Sequence, residues 1–147
     1  MLALLFDIHG NLPALEAVLD DVRSTGARRH LLGGDYAVFG GWPAETIARL
    51  DELLEGVTDR RLVFGHYHVA FERTSASGVE LVGPGSVGMP LDGDHRAAWA
   101  LLHDDGRIER RRVAYDHAAG AARVREVAGD APWGELIAPR IERASLD

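Results

Sequence analysis

An α/β fold of mixed β-sheet layers flanked by helices is the architecture that this 147-residue sequence predicts. Three observations point there. The unbroken apolar run Leu2-Ala3-Leu4-Leu5-Phe6 reads as a strand buried on both faces, and it gives way to apolar positions at helical spacing, Leu15, Leu19 and Val22. The same strand-then-helix order recurs ahead of Gly65. Beyond that point come short strand-like runs broken by glycine-rich turns, and then helices, which suggests a mixed sheet or two packed layers.

Taken in order, Asn11 can cap the first helix, Pro13 suits its first turn, and Gly26 marks its stop. Arg28 to Leu32 reads as a second strand running into Gly33-Gly34-Asp35. A loop with Gly40, Gly41, Trp42 and Pro43 leads to a helix from about Ala44, with Ile47, Leu50 and Leu54 on one face and Gly56 closing it. Arg61-Leu62-Val63-Phe64 is the third strand, ending in Gly65-His66-Tyr67-His68. The later strands fall at Val69 to Thr74, Gly78 to Val82, Ala97 to His103 and Arg107 to Tyr115, with Asp104-Asp105-Gly106 as the hairpin turn between the last two. Asp116 caps a helix through about Val127, and Pro132-Trp133 opens a final one that Pro139 is expected to kink or end. No repeat or low-complexity tract interrupts the chain, so residues 1–147 read as one domain.

Composition narrows the chemistry. With no cysteine, disulfides, thiolate zinc sites and cysteine nucleophiles are excluded. Arginine supplies all sixteen basic side chains, so lysine nucleophiles and Schiff bases are excluded too. A formal charge of -7 argues against a nucleic-acid partner. No apolar run is long enough to span a membrane and no leader pattern opens the chain, so the expectation is a cytoplasmic protein.

Three strand ends deliver Asp7 and His9, then Asp35, then His66 and His68. Open α/β sheets bind ligands at that edge. Carboxylates and imidazoles in this mixture suit manganese, iron, zinc or nickel better than calcium or magnesium. If the backbone stays extended, strand alternation sends both members of Asp7-x-His9, and both of His66-x-His68, to one side. Each motif alone is common; all of them together, each after an apolar run, point to a divalent metal site.

These residues carry a resemblance. Asp-Ile-His-Gly-Asn at 7–11, Gly-Gly-Asp at 33–35 and Gly-His-Tyr-His at 65–68 are similar to motifs of the calcineurin-like metallophosphoesterases, in particular their small bacterial phosphodiesterase branch. Asp7 through Val18 and Gly83-Pro84-Gly85-Ser86-Val87-Gly88 match that branch as well. The resemblance implies a shortened version of that fold, because the family's middle Gly-Asn-His/Asp segment and its lone metal-binding histidine have no counterpart. Asn11 is the only asparagine, and no histidine lies between His30 and His66. Residues Ala44 to Gly56 look like a splice of two helical pieces, which places an internal deletion near residues 50–51.

By resemblance, one metal takes Asp7, His9, Asp35 and His68; a second takes bridging Asp35 and His66 but lacks its other ligands. Asp35 and His66 are the implied catalytic residues, and Asn11 the implied substrate contact, although helix capping accounts for Asn11 equally well. The implied function is hydrolysis of phosphomonoesters or phosphodiesters by metal-activated water on a small phosphorylated substrate, with hydrolysis reduced or lost for want of the second ion. The alternative is a non-catalytic metal-binding or oligomer-forming remnant. Loss of strand–helix units from a sheet exposes apolar faces, so self-association into a homo-oligomer, or marginal stability, is expected.

Other residues read more plainly. Tyr36, Phe39 and Trp42 are expected to pack within their loop, and Asp92, Asp94 and His95 to belong to a solvated loop. His30, His103 and His117 stand isolated, and Arg110-Arg111-Arg112 reads as a solvated strand face. For Gly83 to Ser86, a tight turn and a row of phosphate donors are equally good readings.

Overall fold

The computed structural model describes residues 1–7, 11–34 and 61–146. Its centre is β1 (Leu2–Phe6). Ala3 and Leu5 pack beneath α1 (Leu12–Thr25) together with Ala14, Val18 and Val22. Leu4 and Phe6 turn to the opposite face, where Ala100 and Val63 meet them. Side chains alternate along a strand, so a run apolar at every position needs cover on both sides, and here it has it. Asn11 caps α1 by accepting the Ala14 N–H at 3.2 Å, and Pro13 sits in the first turn.

Two sheets flank this centre. The larger contains β1, β2 (Arg29–Gly33), β6 (Ala97–Leu102) and β7 (Ile108–Val113), in the order β2-β1-β6-β7. It is mixed: β2 runs parallel to β1 with Phe6 opposite Gly33, while β6 pairs antiparallel with β1. The smaller sheet has the order β3-β5-β4, built from β3 (Arg61–Val63), β4 (Phe71–Thr74) and β5 (Glu80–Gly83). Val63 brings this sheet onto the Leu4 and Phe6 face, and the layers are thus helix, sheet, sheet. Two further helices, α2 (His117–Ala128) and α3 (Trp133–Arg143), bury Ala121, Ala138 and Ile141 around Met89.

Three expectations are revised. Pro139 does not end α3, because the helix continues to Arg143. The missing N–H costs one backbone bond, and burial of Ala138 and Ile141 against Met89 outweighs that loss. The arginine run is not simply a solvated face. Arg111 reaches Asp21 and Glu109, and Arg112 pairs with Asp92, while Arg110 is exposed. Two of the histidines read as isolated are not: His117 stacks on His95 with ring centroids 3.8 Å apart, and His103 Nε2 lies 2.9 Å from a Glu109 carboxylate oxygen. The expected helix from Ala44 lies outside the described residues, as do Tyr36, Phe39 and Trp42.

Asp21 ties the outer face of α1 to the large sheet. Its carboxylate accepts from the indole N–H of fully buried Trp99 at 3.0 Å and from two nitrogens of Arg111, each at 3.0 Å. The Arg111 hydrogen bonds hold this carboxyl below its usual range, with Trp99 adding to the effect against partial burial. Because the folded-state pKa is depressed, the contribution is present above the unfolded value near pH 4 and is lost as pH falls. Asp21→Ala is expected to cost about 2 kcal/mol by stranding a buried indole donor and a half-buried guanidinium. Asp21→Asn should cost less, and its deficit against the wild type in urea melts should shrink between pH 7 and pH 3. A deficit independent of pH would count against the charge-based account.

Candidate metal centre

The candidate ligands leave their strands on unusual backbone. Asp7, His66 and His68 have φ of 55°, 75° and 59°, three of the four non-glycine residues with positive φ among the described residues. The expected extended-strand alternation therefore does not hold at these positions; a left-handed turn aims each side chain. Such conformations cost about 1–3 kcal/mol each and persist where surroundings over-determine them. The surroundings here are close.

The Asp7 side chain is fully buried. Its Oδ2 accepts the backbone N–H of His66 at 2.7 Å, joining the end of β1 to the end of β3. A Cβ at Gly65 would stand 2.8 Å from Oδ2, and one at Gly34 would overlap Oδ1. Two glycines thus form a cradle that only a chain without side chains can make around this carboxylate. His68 is buried at 4% exposure, and its Nδ1 lies 2.7 Å from the Met89 carbonyl. A carbonyl can only accept, so Nδ1 carries the proton and Nε2 is the lone-pair nitrogen of the neutral ring. A buried carboxylate and an imidazole fixed in this tautomer are donors that fit a divalent transition metal. His66 is exposed.

His9 and Asp35, the other expected ligands, lie outside the described residues. Among the described residues no three metal-capable side chains gather into one group, so Asp7, His66 and His68 do not by themselves enclose an ion.

Behind the two buried ligands runs the segment Gly83 to Pro90, buried throughout. The Ser86 hydroxyl donates to the Asp7 carbonyl at 2.6 Å and accepts from the Met89 N–H at 2.9 Å. Val87 and Gly88 N–H donate to the Phe6 and Asp7 carbonyls at 2.9 and 3.0 Å. Of the donors expected in Gly83 to Ser86, the Ser86 hydroxyl is spent on the end of β1. Asn11 is similarly committed. Its amide donates to the Gly88 carbonyl at 2.6 Å and to the Tyr115 hydroxyl at 3.0 Å, and its oxygen accepts from Ala14. Both amide hydrogens are thus used, and a phosphate contact would have to displace one of them. Tyr115, held at the far end of this chain, has its hydroxyl pKa pushed up by burial. Sequence reasoning passed over Ser86 and Tyr115 as partners because their contacts span 79 and 104 positions.

The comparisons with known proteins bear on this arrangement. No protein-family model matches the chain. An uncharacterised protein of Methanocaldococcus jannaschii is 38% identical over 53 residues, which is 36% of this chain and only 22% of that relative's length. A metallophosphoesterase from Sphaerobacter thermophilus superposes with a TM-score of 0.65 at 20% identity, covering 97% of this chain and 99% of that one. A hypothetical protein from Pyrococcus horikoshii gives 0.65 at 12% identity, covering 93% and 98%. A phosphoesterase from E. coli gives 0.50 at 21% identity, covering 77% and 99%.

The chain has a shortened metallophosphoesterase fold. At these identities the likeness is one of fold, and the expected architecture of mixed sheet layers flanked by helices is the one observed. Asp7 and the Gly65-to-His68 turn leave the two sheets at ends joined by the Asp7–His66 bond. Among the described residues no helix is long and apolar enough to cross a membrane.

Proposed function

We propose that this protein is a metal-dependent phosphoesterase, hydrolysing phosphomonoesters or phosphodiesters through water activated by a divalent ion. The observation that carries this reading is the pairing of a buried, glycine-cradled Asp7 carboxylate with a buried His68 whose lone-pair nitrogen is Nε2. On a metallophosphoesterase fold, those are the donors a tightly held ion needs. Asp7, His9, Asp35 and His68 would hold it, the ion being manganese, iron, zinc or nickel. When bound, it supplies charge to polarise the phosphate and to acidify a water.

The chain's own groups do the rest. Asp7 is fixed before any ligand arrives, since its Oδ2 already takes the His66 N–H and its backbone is pinned by Ser86 and Gly88. His68 keeps its tautomer through Met89. Exposed His66 serves the catalytic side, where the phosphate oxygens and the leaving group meet water, and Asp35 is the other residue to which we assign a catalytic role. The phosphorylated substrate is small.

A second reading has its own observation. Among the described residues no three-ligand group forms, and the sequence lacks the asparagine and histidine of a second site, so the fold would also serve a non-catalytic metal-binding protein. Exposed Val127, Trp133, Leu136 and Leu146 favour an oligomer-forming version of it. Metal analysis of the purified protein and assay of bis-p-nitrophenyl phosphate with added Mn²⁺ separate the two. Turnover that EDTA abolishes, and that Asp35→Asn lowers by about 10³-fold or more, is the expected result for the enzyme. Bound metal without turnover assigns the remnant, and absence of both defeats each reading.

A further inference from the structure

We infer that Ser86 is a positioning residue, which couples the two buried metal-ligand candidates so that they are set as one unit. This rests on the metal-site reading above. Asp7 follows β1 of the larger sheet and His68 follows β3 of the smaller one, and the Asp7–His66 bond joins their two turns directly. A second link runs behind them. The segment 86–91 bridges them by a chain of backbone bonds. From Asp7 the path goes through its carbonyl to the Ser86 hydroxyl, from that hydroxyl to the Met89 N–H, and from the Met89 carbonyl to His68 Nδ1. It closes with the Leu91 N–H donating to the His68 carbonyl at 3.3 Å.

Ser86 is the only side chain in that path other than the imidazole itself. Its hydroxyl is fully buried and both donates and accepts. Alanine there leaves the Asp7 carbonyl with the Gly88 N–H as a remaining donor but strands the Met89 N–H in the interior. The Met89 peptide is what fixes the His68 ring, so loss of the hydroxyl loosens the carbonyl that holds the tautomer. The effect therefore reaches the metal affinity and not only the fold. Groups that orient metal ligands typically govern about 10–100-fold in affinity when removed.

The test compares Mn²⁺ affinity by calorimetry in the full chain for wild type, Ser86→Ala, Ser86→Thr and Val87→Ala. Val87 is a fully buried core neighbour whose side chain makes no part of the path, and its backbone bond to Phe6 survives the substitution. Ser86→Ala is expected to weaken Mn²⁺ binding about tenfold, Ser86→Thr to restore most of it through the retained hydroxyl, and Val87→Ala to lower the melting temperature with affinity unchanged. Equal affinity in Ser86→Ala and wild type overturns the inference while leaving the metal-site reading intact. Absence of Mn²⁺ binding in the wild type overturns both. Should Ser86→Ala fail to fold, amide exchange in the wild type decides: Mn²⁺ is expected to slow exchange of the 84–91 peptide, and unchanged exchange there overturns the coupling.

Discussion

Asp7→Asn is expected to abolish the rise in melting temperature that Mn²⁺ gives the wild-type protein. A ligand that binds only the folded state stabilises it by about 2.7 kcal/mol at a hundred times its dissociation constant, which for a chain of this size amounts to roughly 5–10 °C. Asparagine keeps the shape of aspartate and an oxygen able to accept the His66 N–H, so the link between the ends of β1 and β3 survives. What it removes is the negative charge and one metal-binding oxygen, in a cradle where Gly34 and Gly65 leave no room for a compensating ligand. The expected consequence is a fall in affinity of at least two orders of magnitude, beyond that of a supporting residue. Differential scanning fluorimetry with and without Mn²⁺ reads it directly: a variant that melts near the metal-free wild type and no longer responds to Mn²⁺. A full Mn²⁺ response in Asp7→Asn would remove Asp7 from the ligand set, and with it the assignment of this strand end as the metal centre.

The reach of the sequence can be judged from particular residues. Leu2 to Phe6 announces a strand covered on both faces because local composition reports burial, and Ala3 and Leu5 do pack on α1 while Leu4 and Phe6 face the smaller sheet. Asp116 and Asn11 are legible as caps because a cap is a matter of the next three residues. Asp7, His66 and His68 are legible as ligand types, but the reason offered for their convergence, an extended backbone, is not the one the molecule uses. Positive φ at all three accompanies contacts across the fold, from Gly33 and Ser86 to Asp7, from Asp7 to His66 and from Met89 to His68, and no local pattern encodes those. Pro139 fails for a related reason: its local cost is real, and burial of its neighbours against Met89 decides the outcome. Charge alone reads the arginine run as solvated, whereas Arg111 is partly buried and bonded to Asp21, ninety positions away.

Gly34→Ala is expected to be among the most destabilising single-methyl additions in the chain, at about 4 kcal/mol. Two costs add. Gly34 has φ of 73°, where an L side chain costs about 1–2 kcal/mol. The added Cβ would also overlap Asp7 Oδ1 and stand 3.1 Å from the Asp7 amide nitrogen, and overpacking against that buried carboxylate costs about 1–3 kcal/mol more. Gly78 separates the two. Its φ is 89°, yet a Cβ there meets nothing within 4 Å, so Gly78→Ala carries the conformational cost alone. Urea unfolding of both variants should therefore place Gly34→Ala roughly 2–3 kcal/mol below Gly78→Ala. The carboxylate cannot retreat to make room, since Gly65 closes its other side and the His66 N–H holds Oδ2. Any Gly34→Ala protein that remains folded must have displaced Asp7, and it is expected to bind Mn²⁺ far more weakly than Gly78→Ala does. Equal stability and equal affinity in the two variants would mean that Asp7 has slack, and that the tight seat described for it is not what sets its position.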